Sequence, residues 1–220
     1  LDTPTTAFSV ACALREKGAL EQALEIAVSG LSLSGYGKAR LAEWTSELAE
    51  ALGHTATSLQ ARTTAFAEVP TLADYMKIQE LADSVEWPKL KKKLLTSLRK
   101  EHRFSIQAAV DIFLHEGLLG DAIKVVDDSS SYSSAPVHQV MEAAIAQRPD
   151  WVINNARRRA ESIMDEGKAK YYSYAVAWLQ FVHRAYVKIE QSEKWQAYYT
   201  RLQQKHSRKR NLMALLHIFE

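Results

Sequence analysis

Residues 103–128 read RFSIQAAVDIFLHEGLLGDAIKVVDD, and this stretch decides the fold. Ile106, Ala109, Val110, Phe113 and Leu114 fall at i, i+3, i+4, i+7 and i+8, one apolar stripe of a helix. Gly117 is the residue type that most readily takes the left-handed conformation ending a helix. A second stripe follows at Leu119, Ala122, Ile123 and Val126. Two amphipathic helices joined by a tight turn make a hairpin that cannot bury both stripes alone. It needs neighbours of its own kind.

The rest of the chain supplies them. No segment sustains period-2 alternation, whereas helical spacing recurs almost throughout. Thr3 before Pro4 reads as an N-cap and first helical residue, and that helix ends at Gly18. Helices follow over Leu20–Leu31, Lys38–Leu52 (closed by Gly53) and Ala56–Ala67, the last weakly amphipathic. Thr71 and Asp74 have capping-box spacing, and Trp87-Pro88 opens a helix with Leu90, Leu94 and Leu98 inward. DDSSSYSSAP, at 127–136, is the most loop-like segment, a weak division in an otherwise single helical-repeat domain over 1–220, with Pro136 at a helix start. Pro149 opens a helix that ends near Gly167. The spacing then predicts one unbroken helix over 169–189, the longest of the chain, apolar over enough of its surface to be packed on two sides. Two more stripes follow, around Trp195–Leu202 and Leu212–Phe219.

The hairpin also has an internal copy. Gly18, Leu20, Ala23, Leu24 and Ile26 match Gly117, Leu119, Ala122, Ile123 and Val125 position for position. Their separation is compatible with units of the ~33-residue tetratricopeptide type. The fold expected is all-α, an irregular solenoid of stacked helical hairpins, tetratricopeptide-like.

Composition narrows the function classes. The chain has 220 residues, 47% hydrophobic and 25% charged, and a net charge of +2. No apolar run approaches the ~18–20 residues that span a bilayer, so no membrane role is expected. The start, LDTPTTAF, lacks a basic segment before an apolar core and lacks an initiator Met, which reads as a piece of a longer protein. The single cysteine, Cys12, forms no internal disulfide and fits the cytoplasm, and on its apolar helix it reads as a small core residue.

Catalytic groupings do not emerge. His115-Glu116 lacks a second His four residues on, and there is neither a Gly-x-Ser-x-Gly elbow nor a phosphate-cradling glycine loop. The expectation is a chain that is not an enzyme and has no cofactor or metal site of its own. Basic clusters are the better candidates: Lys89, Lys92, Lys93 and Lys100 on one helix, Arg157, Arg158 and Arg159 on another, and Lys205, Arg208, Lys209 and Arg210 near the end. They would hold phosphates if they converged. The competing reading makes each the wet face of an amphipathic helix, with Arg157 paired to Glu161 at i+4, and the small net charge favours it. Tyr171, Tyr172, Tyr174, Trp178, Trp195, Tyr198 and Tyr199 form an aromatic group that reads first as core. Tyr171, Tyr172, Trp195 and Tyr199 are also candidate anchors of a peptide groove.

The phrases DIFLHEGLLGDAIKVVDD, RPDWVINNARRRAESIMDEGKAKYYSYAVAWLQFVHRAYV and WQAYYTRLQQKHSRKRNLMALL resemble the helical region of bacterial SWIM zinc-finger proteins, over roughly 72–216. The family's finger uses Cys-x-Cys followed by Cys-x-His, which a chain with Cys12 alone does not contain. The resemblance therefore implies a zinc finger N-terminal to this chain, and a regulatory or nucleic-acid-linked protein of the bacterial cytoplasm whose helical part mediates contacts. The function expected is a protein- or peptide-binding scaffold; the alternative is a nucleic-acid-binding module using the basic helix faces.

Overall fold

Thr3 sits in extended backbone and its hydroxyl accepts the Thr6 N–H, which starts the first helix one residue later at Pro4. Similar local chemistry builds the rest. A computed structural model describes residues 1–101, 104–128 and 134–219, and among these the chain is all-α, with no strand. The helices are α1 (Pro4–Glu16), α2 (Leu20–Gly30), α3 (Lys38–Ala51), α4 (Thr55–Glu68), α5 (Leu72–Leu81), α6 (Trp87–Lys100), α7 (Ile106–His115) and α8 (Leu119–Asp127). After them come α9 (Ser134–Ala144), α10 (Pro149–Glu166), α11 (Tyr172–Lys188), α12 (Ser192–His206) and α13 (Arg210–Leu216). Single 3-10 turns cover Ala169–Tyr171 and His217–Phe219.

Contacts within the chain group it into two units, Leu1–Ser130 and Ser131–Glu220. In the first, α1 pairs mainly with α2 and α3 with α4, α2 on α3 and α4 on α5 pack less extensively, α1 also touches α3, α7 packs on α8, and α5 packs on α7. One hydrophobic cluster joins Ala7 and Ala11 of α1, Ala23, Leu24 and Ala27 of α2, and Leu41, Trp44, Leu48 and Ala49 of α3. The many alanines let the backbones approach closely, and Gly30 closes the tightest point: a Cβ there would lie 2.4 Å from that of Ala7.

One turn recurs. After α1, α3 and α7 the chain passes through a helical residue, a left-handed glycine and a residue in inverse γ-turn geometry before the next helix. The glycines are Gly18, Gly53 and Gly117, with φ of 78°, 81° and 70°. The residues after them, Ala19, His54 and Leu118, have φ, ψ of −85°, 65°; −85°, 66°; and −86°, 59°. Each turn carries the same bond pair: Gly18 N–H to Arg15 O and Ala19 N–H to Leu14 O, with Gly53/His54 and Gly117/Leu118 bonded alike. This is the Schellman cap, which satisfies carbonyls left over at a helix end. The turn between α11 and α12 has the same bonds, Glu190 N–H to Val187 O and Gln191 N–H to Tyr186 O, but Glu190 holds the left-handed position at φ 57°.

In the second unit α11 is central, packed against α10, α12 and α13. Its buried residues Tyr172, Ala175, Val176, Trp178, Leu179, Val182, Ala185 and Tyr186 occupy more than one face, as the breadth of its apolar pattern requires. Two expectations change here. The helix foreseen over 169–189 starts only at Tyr172, because Gly167 (φ 75°) and extended Lys168 break the chain and 169–171 form a 3-10 turn. At 18 residues α10 is then longer than α11, at 17. Pro136 is the third residue of α9 and not its start; proline is tolerated in a first turn, where its missing N–H would have no helical partner. Much of the Ser-rich loop, at 129–133, lies outside the described residues, as does position 103 of the opening stretch.

Candidate functional site

Three consecutive arginines are turned ~100° apart by a helix, so Arg157, Arg158 and Arg159 cannot form one patch. Proline at the first position and Gly167 at the exit bound α10, and Val152, Ile153, Ala156, Ala160 and Met164 bury its inner face. Arg159 falls on the α11 side: it donates to Asn155 Oδ1 at 2.8 Å and lies over the Trp178 ring, 5.3 Å from its centroid. Arg157 falls on the α12 side, its guanidinium carbon 4.2 Å from the centroid of Tyr198 and its Nη2 3.5 Å from Glu161 Oε1. Arg158 points to solvent and has no ion pair or hydrogen bond among the described residues.

Between these rows α10 carries a polar cleft of about 420 Å³, lined by Asn154, Arg157, Arg158, Glu161 and Ser162. Two buried polar atoms beside it have no hydrogen-bond partner among the described residues, Arg157 Nε and Tyr198 Oη. Burial, then the nearby Glu161 carboxylate, pushes the Tyr198 phenol up, so it stays protonated. Further along the same helix Lys205 binds Asp165 at 2.7 Å and Lys209 Nζ donates to Met164 O, a cation closing the helix C-terminus. His206, 3% exposed, lies 3.6 Å from Asp165 and is held below the usual histidine range by burial and by Lys209, against the pull of Asp165.

The aromatic candidates separate by depth. Tyr172, Trp195 and Tyr199 are 3%, 1% and 4% exposed and sit in the interior. Trp195 stacks on Tyr199 at 5.6 Å and meets His183 and Phe219, while Tyr199 donates to Leu216 O at 2.9 Å. They fasten α12 and the chain end onto α11. Tyr171, with Tyr174, is on the surface, and Lys170 lies over its ring.

On α6, Lys89, Lys92, Lys93 and Lys100 are all exposed, opposite the buried Leu94, Leu95 and Leu98. Two other cations of this helix are engaged: Arg99 forks onto Asp121 at 2.9 and 2.7 Å, and Lys91 binds Glu116. Glu116 also accepts from the fully buried Tyr75 at 2.7 Å. Burial pushes the Glu116 carboxyl up, but the hydrogen bonds of Lys91 and Tyr75 and the nearby positive charge outweigh it and hold it low. Sequence reasoning did not single out this Tyr75–Glu116–Lys91 link, nor the buried pair Arg62–Asp74 at 2.9 Å, because their members lie 12 to 41 residues apart. Asp74 also accepts from Thr71, so the capping box of α5 and the ion pair share one carboxylate.

Among the described residues no three His, Cys, Asp or Glu side chains come together to hold a metal ion, and Cys12 is half-buried on α1. No helix among them is long and apolar enough to cross a membrane. Fold and cleft together define an all-α protein of helical hairpins with a polar, arginine-lined groove on one helix. Comparison with protein families, curated proteins and solved structures finds no match to the chain.

Proposed function

We propose that the chain is a non-enzymatic interaction scaffold, an irregular solenoid of tetratricopeptide-like hairpins that binds a protein or peptide. The observation that carries this reading is the repeated hairpin turn at Gly18, Gly53 and Gly117 with successive packing of the helices it joins. Such stacking presents outward rows of side chains along a rigid frame. The exposed rows are the lysines of α6 in the first unit and, separately, Asn154, Arg158 and Ser162 of α10 in the second. A non-catalytic role is supported by the engagement of the acids: Asp74 is held by Arg62 and Thr71, Glu116 by Tyr75 and Lys91, and Asp165 by Lys205. The SWIM-family resemblance adds a place for the scaffold, in a larger regulatory protein of the bacterial cytoplasm with a zinc finger ahead of this chain.

One observation favours nucleic acid as the second reading. Residues 131–220 hold fourteen Lys and Arg against eight Asp and Glu, a net of +6. The discriminating experiment pans displayed random peptides against the whole chain and runs retardation of duplex and single-stranded DNA and RNA across a salt series. Enrichment of a peptide family supports the scaffold. No enrichment, with retardation that weakens steeply as salt rises, replaces it with nucleic-acid binding.

A further inference from the structure

The five side chains of the α10 cleft form two rows. Asn154, Arg158 and Ser162 recur every fourth residue and offer an amide, a guanidinium and a hydroxyl along ~12 Å of helix. Arg157 and Glu161 form the second row. Arg157 is oriented without being saturated: the Tyr198 ring backs its guanidinium, and its contacts with Glu161 are both 3.5 Å. Charge-assisted hydrogen bonds normally close to about 2.7–2.9 Å. Its Nε is shut off from solvent and meets Glu161 Oε1 only at 3.5 Å, outside hydrogen-bond geometry, which leaves this donor poorly satisfied. Arg158 stands beside it with every donor free.

We propose that this cleft binds the phosphoryl group of a phosphorylated serine or threonine in a peptide ligand. Arg158 is the main donor, Ser162 and Asn154 flank it, and Arg157 turns from Glu161 to the phosphate. The inference rests on the scaffold reading and names the chemistry of its partner. Four donor side chains suit a group with three acceptor oxygens and a charge of about −1.5 to −2. A carboxylate ligand fits less well, because Glu161 already offers Arg157 a carboxylate and gains only two long contacts. A nucleic acid fits less well, because no lining residue is aromatic and a base would have nothing to stack on.

The test uses the whole chain and three degenerate peptide pools with phosphoserine, glutamate or serine fixed at the centre, and a uridine oligonucleotide as a fourth probe. Affinity is read by fluorescence anisotropy, and location by NMR shifts of the Arg158 side chain and the 154–162 amides. The phosphoserine pool is expected to bind at least about tenfold tighter than the glutamate pool and to shift those resonances. Arg158→Ala should weaken it about 10- to 100-fold, the scale of a hydrogen bond to a charged group. Arg158→Lys should recover only part, since lysine supplies a point charge without the fork. Arg158 is exposed and unpaired, so both variants should keep native amide protection.

Equal binding of the three pools, shifts confined to other helices, an unchanged affinity in Arg158→Ala, or displacement from the same residues by the oligonucleotide would each overturn the proposal. Peptides enriched by panning that bind without phosphate and ignore Arg158→Ala would overturn the cleft assignment while leaving the scaffold standing. Retardation of nucleic acid without any peptide binding would remove both.

Discussion

Replacing Gly30 by alanine should destabilise the first unit, although alanine is the better helix former. Gly30 is the last residue of α2 and faces α1 and α3. A Cβ there would lie 2.4 Å from Ala7 Cβ and 2.8 Å from Leu41 Cδ2, against the ~3.5–4.0 Å of a relaxed carbon contact. The Leu41 methyl can rotate away. Ala7 is 0% exposed and its Cβ is fixed to the α1 backbone, so α1 itself has to shift. Overpacking of this kind costs about 1–3 kcal/mol, and the gain in helix propensity returns at most about 1 kcal/mol. With the full gain returned, a net loss of up to about 2 kcal/mol follows. Gly120 is the control: it is helical, in α8, and a Cβ there meets nothing within 4 Å. Gly120→Ala should be neutral or stabilising by up to about 1 kcal/mol. Urea unfolding followed by hydrogen exchange at the α1–α3 amides measures both. A Gly30→Ala chain as stable as the native one, with unchanged exchange in α1, would refute the close-packing argument.

Three further outcomes are expected. Glu190 occupies the left-handed position that glycine holds in the other Schellman turns, at a cost of about 1–2 kcal/mol, so Glu190→Gly should raise the stability of the second unit by up to about 1 kcal/mol after glycine's greater unfolded-state freedom is counted. A lowered melting temperature would contradict this. Asp74→Ala leaves Arg62, whose side chain is 12% exposed, without its ion-pair partner and removes the acceptor of the Thr71 hydroxyl at the start of α5. A loss of about 3–5 kcal/mol is expected by urea titration, and one below about 1 kcal/mol would show the pair to be dispensable. His138 and His206 are both held below the ordinary histidine value, chiefly by burial, with Arg159 acting on the first and Lys209 on the second. The unfolded chain then binds more protons, so their contribution is full above about pH 6.5 and is lost as pH falls through the folded values. The urea midpoint of the second unit should drop between about pH 7.5 and about pH 5, less so in His206→Gln, and a rise on acidification would overturn the assignment.

Local rules reached most of the helices. The apolar periods of 106–114 and 119–126, the Thr3-Pro4 and Thr71-x-x-Asp74 starts and the glycine stops are decided within a few residues, so they can be read along the chain. The fourth Schellman turn escaped because Glu190 carries no sequence mark for positive φ, although the same pair of backbone bonds closes it. The end near Gly167 was legible, but the 3-10 turn at 169–171 escaped because the apolar spacing of α11 runs back to Tyr171.

The candidate site divides along the same line. The lysine row of α6 is a property of one helix, and its exposure followed from its own amphipathic pattern. The three arginines are adjacent in sequence, but their roles depend on what each meets across the fold: Tyr198 for Arg157, solvent for Arg158, Trp178 for Arg159. Likewise Trp195 and Tyr199 have the composition of a binding surface and the depth of a core. The sequence by itself determined the all-α class, the hairpins and which residues carry charge, because helix formation and amphipathicity are local. Only the tertiary structure decided which of those charges are satisfied and which remain free, because a side chain's partner across the fold is set by packing between helices distant in the chain.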